Sequence, residues 1–482
     1  MATSIGPLLS STGIGSGLDV NSIVSALVNV ERVPITRLQT QASTLQTQLS
    51  SYGKIQSYVA AVRDAARTLA SPATWTQTIG SSSDAAVGIV TDGSTLPGSY
   101  KVEVQSLAAA QSVATATTYP SATSTLGQGS LHIELGSWAG SAFTAQSGAT
   151  AIDVTIGPGE DTLQQVRDKI NAAGAGVVAS ILTDASGARL VLRSRDTGAA
   201  NGFRVGVTES SPAGLAALAY DPSGGATSMT LAQAASDAHA TINQLPVTSA
   251  SNTLVGVIDG LTLTLNKVTS APVDVGATPD SASMKKSVEA FVAAYNDMAK
   301  YLTEQTKYDA ASKTAGTLQG DSAALAVRSQ MRSLLATTSG ASTTFARLAD
   351  IGFDVQTDGT IQLVGSKLDN ALANVPELKK LFANSDSVTP ANNGVLLQMR
   401  ELADRFLGVD GTLTTRSDGL QHRIDDNKDQ QARLEVRVDA FEARVRAQYT
   451  ALDAQMGQLT GLSTYVTQQM AMLNRSSGSG GN

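Results

Sequence analysis

The chain has 482 residues, 42% of them hydrophobic but only 4% aromatic, with 34 basic against 41 acidic residues and no cysteine. That length allows about two to four domains, and the missing cysteine excludes disulfides, thiol catalysis and cysteine-ligated zinc. A net charge of −7, mild and dispersed, leaves neither a nucleic-acid footprint nor a polybasic membrane anchor, and no apolar run is long enough to span a bilayer.

Residues 1–17 are small, polar and glycine-rich, so they are expected to be a disordered tail. They lack the basic and apolar regions of a Sec-type signal peptide. Asp19 reads as the N-cap of a short helix carrying Ile23, Val24, Leu27 and Val30. Pro34 predicts an interruption, and a second helix is expected over 37–70. Along it Leu38, Gln41, Leu45, Gln48, Tyr52, Ile55, Val59, Val62, Ala66 and Leu69 step by alternating threes and fours. Such spacing lays the side chains on one narrow seam that a helix cannot bury alone.

Past Trp75 the period changes to two. Strands are expected over 86–90, 98–104, 131–135, 152–156, 177–182, 189–193 and 203–207, with one helix, 162–173, closed by Gly174. A Gly/Ser/Pro-rich break at 221–228 precedes further strands at 240–242, around Val247, and at 261–265. Helices return at 281–307, 321–336, 367–373 and 376–382, with a hairpin over 351–363 turning on Asp358-Gly359. A long helix over 416–456 repeats the seam through Leu420, Ile424, Asn427, Gln431, Leu434, Val438, Phe441, Val445, Gln448 and Leu452. Gly457 and Gly461 are expected to loosen the last segment, where Leu459, Leu462, Val466, Met470 and Leu473 suit a terminal amphipathic helix. The tail 476–482 is expected to be disordered. On pattern alone, the two seams suit a partner copy and a plain intramolecular hairpin equally well.

Catalytic chemistry finds little foothold. His132, His239 and His422 have no second histidine at metal-ligand spacing. Gly13–Gly17 follows no strand, and there is no phosphate loop and no GxSxG elbow. Asp425-Asp426 sits on a charge-mixed helix face, where paired acids are solvated. No catalytic residue, metal site or cofactor site is assigned. A carbohydrate-binding face around Trp138, Tyr119 or Tyr220, as in a filament-displayed adhesin, is one competing reading.

Four blocks in order resemble the bacterial flagellar filament-capping family, the second hook-associated proteins. They are GIGSGLDVNSIVSALVNVERVPITRLQTQ at the N-terminus, 161–203, 242–265, and LADIGFDVQTDGTIQL through GTLTTRSDGL to the final coiled coil. The 161–203 block is similar to a helix-and-hairpin repeat shared by flagellin and hook-associated proteins. The resemblance implies an α+β multidomain chain whose long terminal helices form a coiled-coil leg, with two β-rich head domains inserted between them. The expected division is 18–75 for N-terminal leg helices, 76–128 and 226–280 for an inner head domain, and 129–225 for an inserted outer one. A helical leg domain with the hairpin would take 281–415, and coiled-coil helices 416–475.

The resemblance also implies a ring of about five or six copies at the growing filament tip, retaining exported flagellin and promoting its folding into place. Leg packing and oligomerisation would fall to Leu38, Leu45, Tyr52, Ile55, Val59, Val62, Leu69, Leu420, Ile424, Leu434, Val438, Phe441, Val445 and Leu452. Hook–filament junction proteins and an export chaperone on the C-terminal helix are further implied partners, with a host surface ligand in some bacteria. Export would run through the flagellar type III apparatus. Flagellin or a hook-junction protein is the rival within the same export class.

Overall fold

In the computed structural model, residues 19–477 are described; both expected disordered tails lie outside that range except residues 476 and 477. Eight α-helices occur among the described residues: α1 (Val20–Ala70), α2 (Leu163–Ala173), α3 (Ser281–Thr306), α4 (Ser322–Leu335), α5 (Gly365–Leu372), α6 (Val375–Ala383), α7 (Val395–Leu407) and α8 (Thr412–Ser477). The chain forms two compact units, one from residues up to Ser71 and from Lys285 onward, the other Pro72–Met284.

The first unit is helical. Asp19 does cap α1, accepting from the Ser22 N–H at 3.0 Å. The expected break at Pro34 is absent: α1 runs through it as one helix. Proline removes one intrahelical hydrogen bond at the Val30 carbonyl, but Pro34 and Val30 both face solvent, where water can take that bond. Val28 and Ile35 on the other face are buried and hold the helix on course. Gly457 and Gly461 likewise fail to end α8, which continues to Ser477. Each glycine costs roughly 1 kcal/mol in a helix interior, too little to break one this long.

On α3, Val288, Phe291, Tyr295, Met298 and Leu302 recur every three or four residues and are all buried. The Asn296 amide clamps the hairpin strand Ile361–Leu363 beside them, accepting from the Ile361 N–H at 2.6 Å and donating to its carbonyl at 2.8 Å. That strand pairs with Phe353–Val355, and Gly359 supplies the left-handed residue of the turn at φ +88°.

A second anchor joins three helices. Asp321 caps α4 through the Ala323 and Ala324 N–H groups, each at 3.1 Å. It also accepts from the Tyr52 hydroxyl of α1 and from Arg416 of α8 at 2.8 and 3.1 Å. Burial pushes the Asp321 carboxyl up, but the Tyr52, Ala324 and Arg416 hydrogen bonds outweigh it and hold the group below its ordinary value. Burial, and then the bond to Asp321, push the Tyr52 hydroxyl up.

The second unit holds two cores. One lies between a five-stranded antiparallel sheet (Thr78–Ser82, Val273–Pro279, Gly98–Ser106, Ala238–Ile242, Leu245–Ser249) and a three-stranded one (Thr253–Ile258, Leu261–Leu265, Val87–Thr91). Its interior includes Val102, Val104, Ala240, Leu254, Leu263 and Val275. The other is built only from residues between Val113 and Met229, including Leu131, Ile133, Val166, Leu190 and Phe203. Here the strand Gly129–Ala139 centres one sheet, and Gly187–Ser194 pairs with Val177–Asp184 and Ser112–Thr115 in another. α2 closes this core with a capping box, Thr162 and Gln165 bonding reciprocally.

The chain passes between the cores at Ala109 and Ser236, whose backbones exchange hydrogen bonds of 2.9 and 3.0 Å. Val113, Leu126 and Met229, expected in the inner segments, therefore pack in the inserted core.

Candidate assembly surfaces

The two heptad seams meet within one chain. α1 and α8 run antiparallel, with Asn21 beside Arg446 (3.0 Å), Glu31 beside Arg437 (3.3 Å), Arg32 beside Glu435 (3.5 Å) and Gln56 beside Ser417 (3.4 Å). Val20, Val24, Val28 and Ile35 pack with Val438 and Val445, flanked by Leu434, Phe441 and Tyr449. A polar layer interrupts the seam. Asn427 is buried, accepts from Gln431 at 2.6 Å and reaches Gln41 at 3.5 Å, the kind of layer that fixes register at some cost in stability.

Of the named leg residues, Leu45, Tyr52, Ile55, Val59, Val62, Leu69, Leu420, Ile424, Val438 and Val445 are buried. Leu38, Leu434 and Phe441 are half-buried. α1 also packs against α7 within the helical unit, where Arg63 approaches Asp404 at 3.8 Å. Of the two readings left open by pattern, the hairpin describes the buried seam.

Leu452 departs from the rest. It is exposed, and so are Met456, Leu459, Leu462, Tyr465, Val466, Met470, Met472 and Leu473, mostly by half or more. Here α8 continues its apolar spacing with the side chains in solvent. A soluble chain seldom leaves a continuous apolar stripe open unless it is a contact surface.

The aromatic residues of the adhesin reading pack within the inserted core, and Trp138 and Tyr220 also line a cavity of about 210 Å³. Trp138 packs edge-on against Tyr220 with ring centroids 5.8 Å apart, touches Phe143 at 4.8 Å, and donates its indole N–H to the Phe203 carbonyl at 3.2 Å. Tyr119 packs on the same core, its backbone bridged to Ala188. His132 pairs with Asp153 at 2.7 Å and His239 with Thr248 at 3.1 Å, and no group of three or more potential metal ligands occurs among the described residues.

Comparison with known proteins agrees along nearly the whole chain. Residues 16–111 match the family model for the flagellar hook-associated protein 2 N-terminus, 235–461 that for its C-terminus, and 142–196 the flagellin hook IN motif. The B-type flagellar hook-associated protein 2 of Pseudomonas aeruginosa is 30% identical over 97% of this chain and 98% of its own length. The flagellar hook-associated protein 2 of Escherichia coli K12 is 30% identical over 96% and 98%. Among solved structures, the D1-D2-D3 domains of the flagellar cap protein FliD from Escherichia coli align at 27% identity with a TM-score of 0.60, covering 77% of this chain and 99% of that one.

Proposed function

The chain belongs to the flagellar hook-associated protein 2 family, and from that premise we propose how its parts serve a cap at the end of a flagellar filament. As a member of that family it is a structural filament cap and not an enzyme. The observation that carries this reading is the match over nearly the full length of both chains.

In our reading, copies close into a ring of about five or six at the distal tip, hold exported flagellin beneath it and promote its folding and insertion. The chain reaches the tip through the flagellar type III apparatus, guarded by an export chaperone on α8, and docks first on hook–filament junction proteins. The leg comprises 18–75 and 281–475, and the head comprises 76–280 with one domain inserted in another. The two nested cores of the second unit support that insertion, with limits near Ala109 and Ser236 in place of 129 and 225. Self-association through the leg is supported by the open apolar stripe from Leu452 to Leu473, while the buried seam residues support the fold of each leg.

Electron microscopy of the purified chain tests the reading. Small closed rings are expected; a helical filament would favour the flagellin rival, and an absence of any assembly at high concentration would count against the ring. Returning the gene to a cap-deficient strain should restore filaments and stop flagellin leaking into the medium.

A further inference from the structure

α1 flanks only part of α8. Their antiparallel register sets Asn21 beside Arg446 and Glu31 beside Arg437, and it ends α1 next to Tyr449, where Val20 joins the packed cluster. Beyond that point α8 runs on past Leu473 with its apolar side chains open, a further length of about 36 Å. This stretch is built to be enclosed. From Ala454 to Asn474 it carries no charged residue, in a chain that is 16% charged, whereas both signs interleave along 423–446. Its threonine hydroxyls are already satisfied: Thr460, Thr464 and Thr467 donate to the carbonyls of Met456, Thr460 and Ser463 at 2.8, 2.8 and 2.7 Å. A solvated helix keeps charge on its outer face. One without charge all round, whose hydroxyls bond its own backbone, loses little when water is removed.

The chain itself supplies a matching segment at that place. Residues 1–18 also hold no charged side chain, and they include Ile5, Leu8, Leu9 and Ile14. They lead into α1 at its cap, Asp19, so they start where the cover of α8 stops. Eighteen residues span roughly 27 Å as a helix and 60 Å extended, which reaches well along the open stretch in either form. Carried back past the Asn21–Arg446 pair at helical rise, the antiparallel register sets Leu9 near Leu459. A second copy's α8 is the competing occupant, but the tethered segment holds a high effective concentration at this surface that no free copy has.

We propose that residues 5–14 run along the open stretch of α8 in the same chain, extending the α1–α8 seam past Tyr449 with Leu8 and Leu9 against Leu459 and Leu462. Gly6 and Gly13 make the segment costly to order. In a dilute monomer the cover is therefore loose and α8 still opens beneath it; neighbouring copies, packing on the rest of the uncharged circumference, complete it. That last step rests on the self-association proposed above, whereas the seating of 5–14 does not.

Because the chain has no cysteine, engineered pairs read the contact directly. In the full chain, L9C is combined in turn with L452C, L459C and V466C, and with V436C, an exposed position on the part of α8 that α1 already flanks. Under mild oxidation at low concentration, the best of the three open-stretch pairs should close within one chain roughly tenfold faster than the V436C pair. Closure no faster than with V436C shows that the segment does not seat there. Bonds that join two chains give the surface to a neighbour. Either result overturns the proposal.

Sedimentation velocity reads the consequence for assembly. L8D/L9D should weaken self-association roughly tenfold or more, the scale of losing two buried leucines, with thermal unfolding unchanged. Unaltered association overturns the part given to residues 5–14 in the assembled seam. A wild-type chain that stays monomeric would defeat the ring reading, and the cysteine pairs alone then decide whether the segment seats on α8.

Discussion

Two stretches of one helix carry the same pattern and meet opposite fates. From Leu420 to Val445 the seam of α8 is buried or half-buried against α1 of its own chain, whereas from Leu452 to Leu473 its apolar side chains lie open. A heptad repeat states that a helix needs a partner without saying which one. The buried stretch keeps the chain folded; the open stretch is the surface we assign to assembly.

Substituting the two stretches alike should separate them. Val438→Asp places a carboxylate at a fully buried position, so it loses the valine's burial and adds an unpaired charge. The helical unit should lose more than about 4 kcal/mol, read as the first transition in calorimetry, with the 72–284 transition unmoved. If Val438→Asp melts like the parent, α1 is not the seam's partner.

Asp321→Ala is expected next in size. It removes the cap of α4 and strands Arg416 and Tyr52, for roughly 3 kcal/mol, measurable as a fall in the urea midpoint of the same unit. A change under about 0.5 kcal/mol would show the three-helix anchor to be incidental.

A smaller effect concerns acid. Glu377 at the start of α6 is drawn down to about 2, first by Lys380 at 2.6 Å, then by the Ser342 hydroxyl and the Thr343 N–H. A depressed carboxyl adds stability that is complete above its ordinary value near 4.5 and fades as pH falls from there toward 2. Glu377→Gln should therefore flatten the acid slope of the helical unit across that window and leave neutral-pH folding cooperative. An unchanged slope would remove Glu377 from the account.

The smallest effect on folding should come from the open stretch. Met470→Asp is expected to shift monomer stability by no more than about 0.5 kcal/mol while abolishing rings in the microscope. Rings that persist would move assembly away from this stripe.

The same physics sets how far the sequence can be read. Period and capping residues mark the helical ends, the 162–173 helix and the Asp358-Gly359 hairpin, because each is a local preference. Pro34 misleads because the bond it removes faces solvent while Val28 and Ile35 pack the opposite face, and the two glycines mislead because each costs only about 1 kcal/mol in a long helix. α7 is absent from the sequence reading although Val395, Met399, Leu402 and Phe406 carry helical spacing. Short strands such as Thr78–Ser82 and Ser112–Thr115 are too brief or too polar to show a period, whereas Val273–Pro279 does alternate, with Val273, Val275 and Ala277 buried, and is absent from that reading too. Asp321, Arg416 and Tyr52 lie far apart in sequence, so nothing local marks them as one anchor. Burial alone separates the closed half of the C-terminal seam from the open one.

Hydrogen exchange along α8, compared between dilute monomer and assembled protein, tests that separation most directly. Amides from Thr412 to Tyr449 should be protected in the monomer and change little on assembly. Amides from Leu452 to Leu473 should exchange quickly in the monomer and slow sharply in the ring. Equal protection of both stretches in the dilute monomer, or no slowing of the second on assembly, would contradict the division of α8 into a folding half and an assembling half.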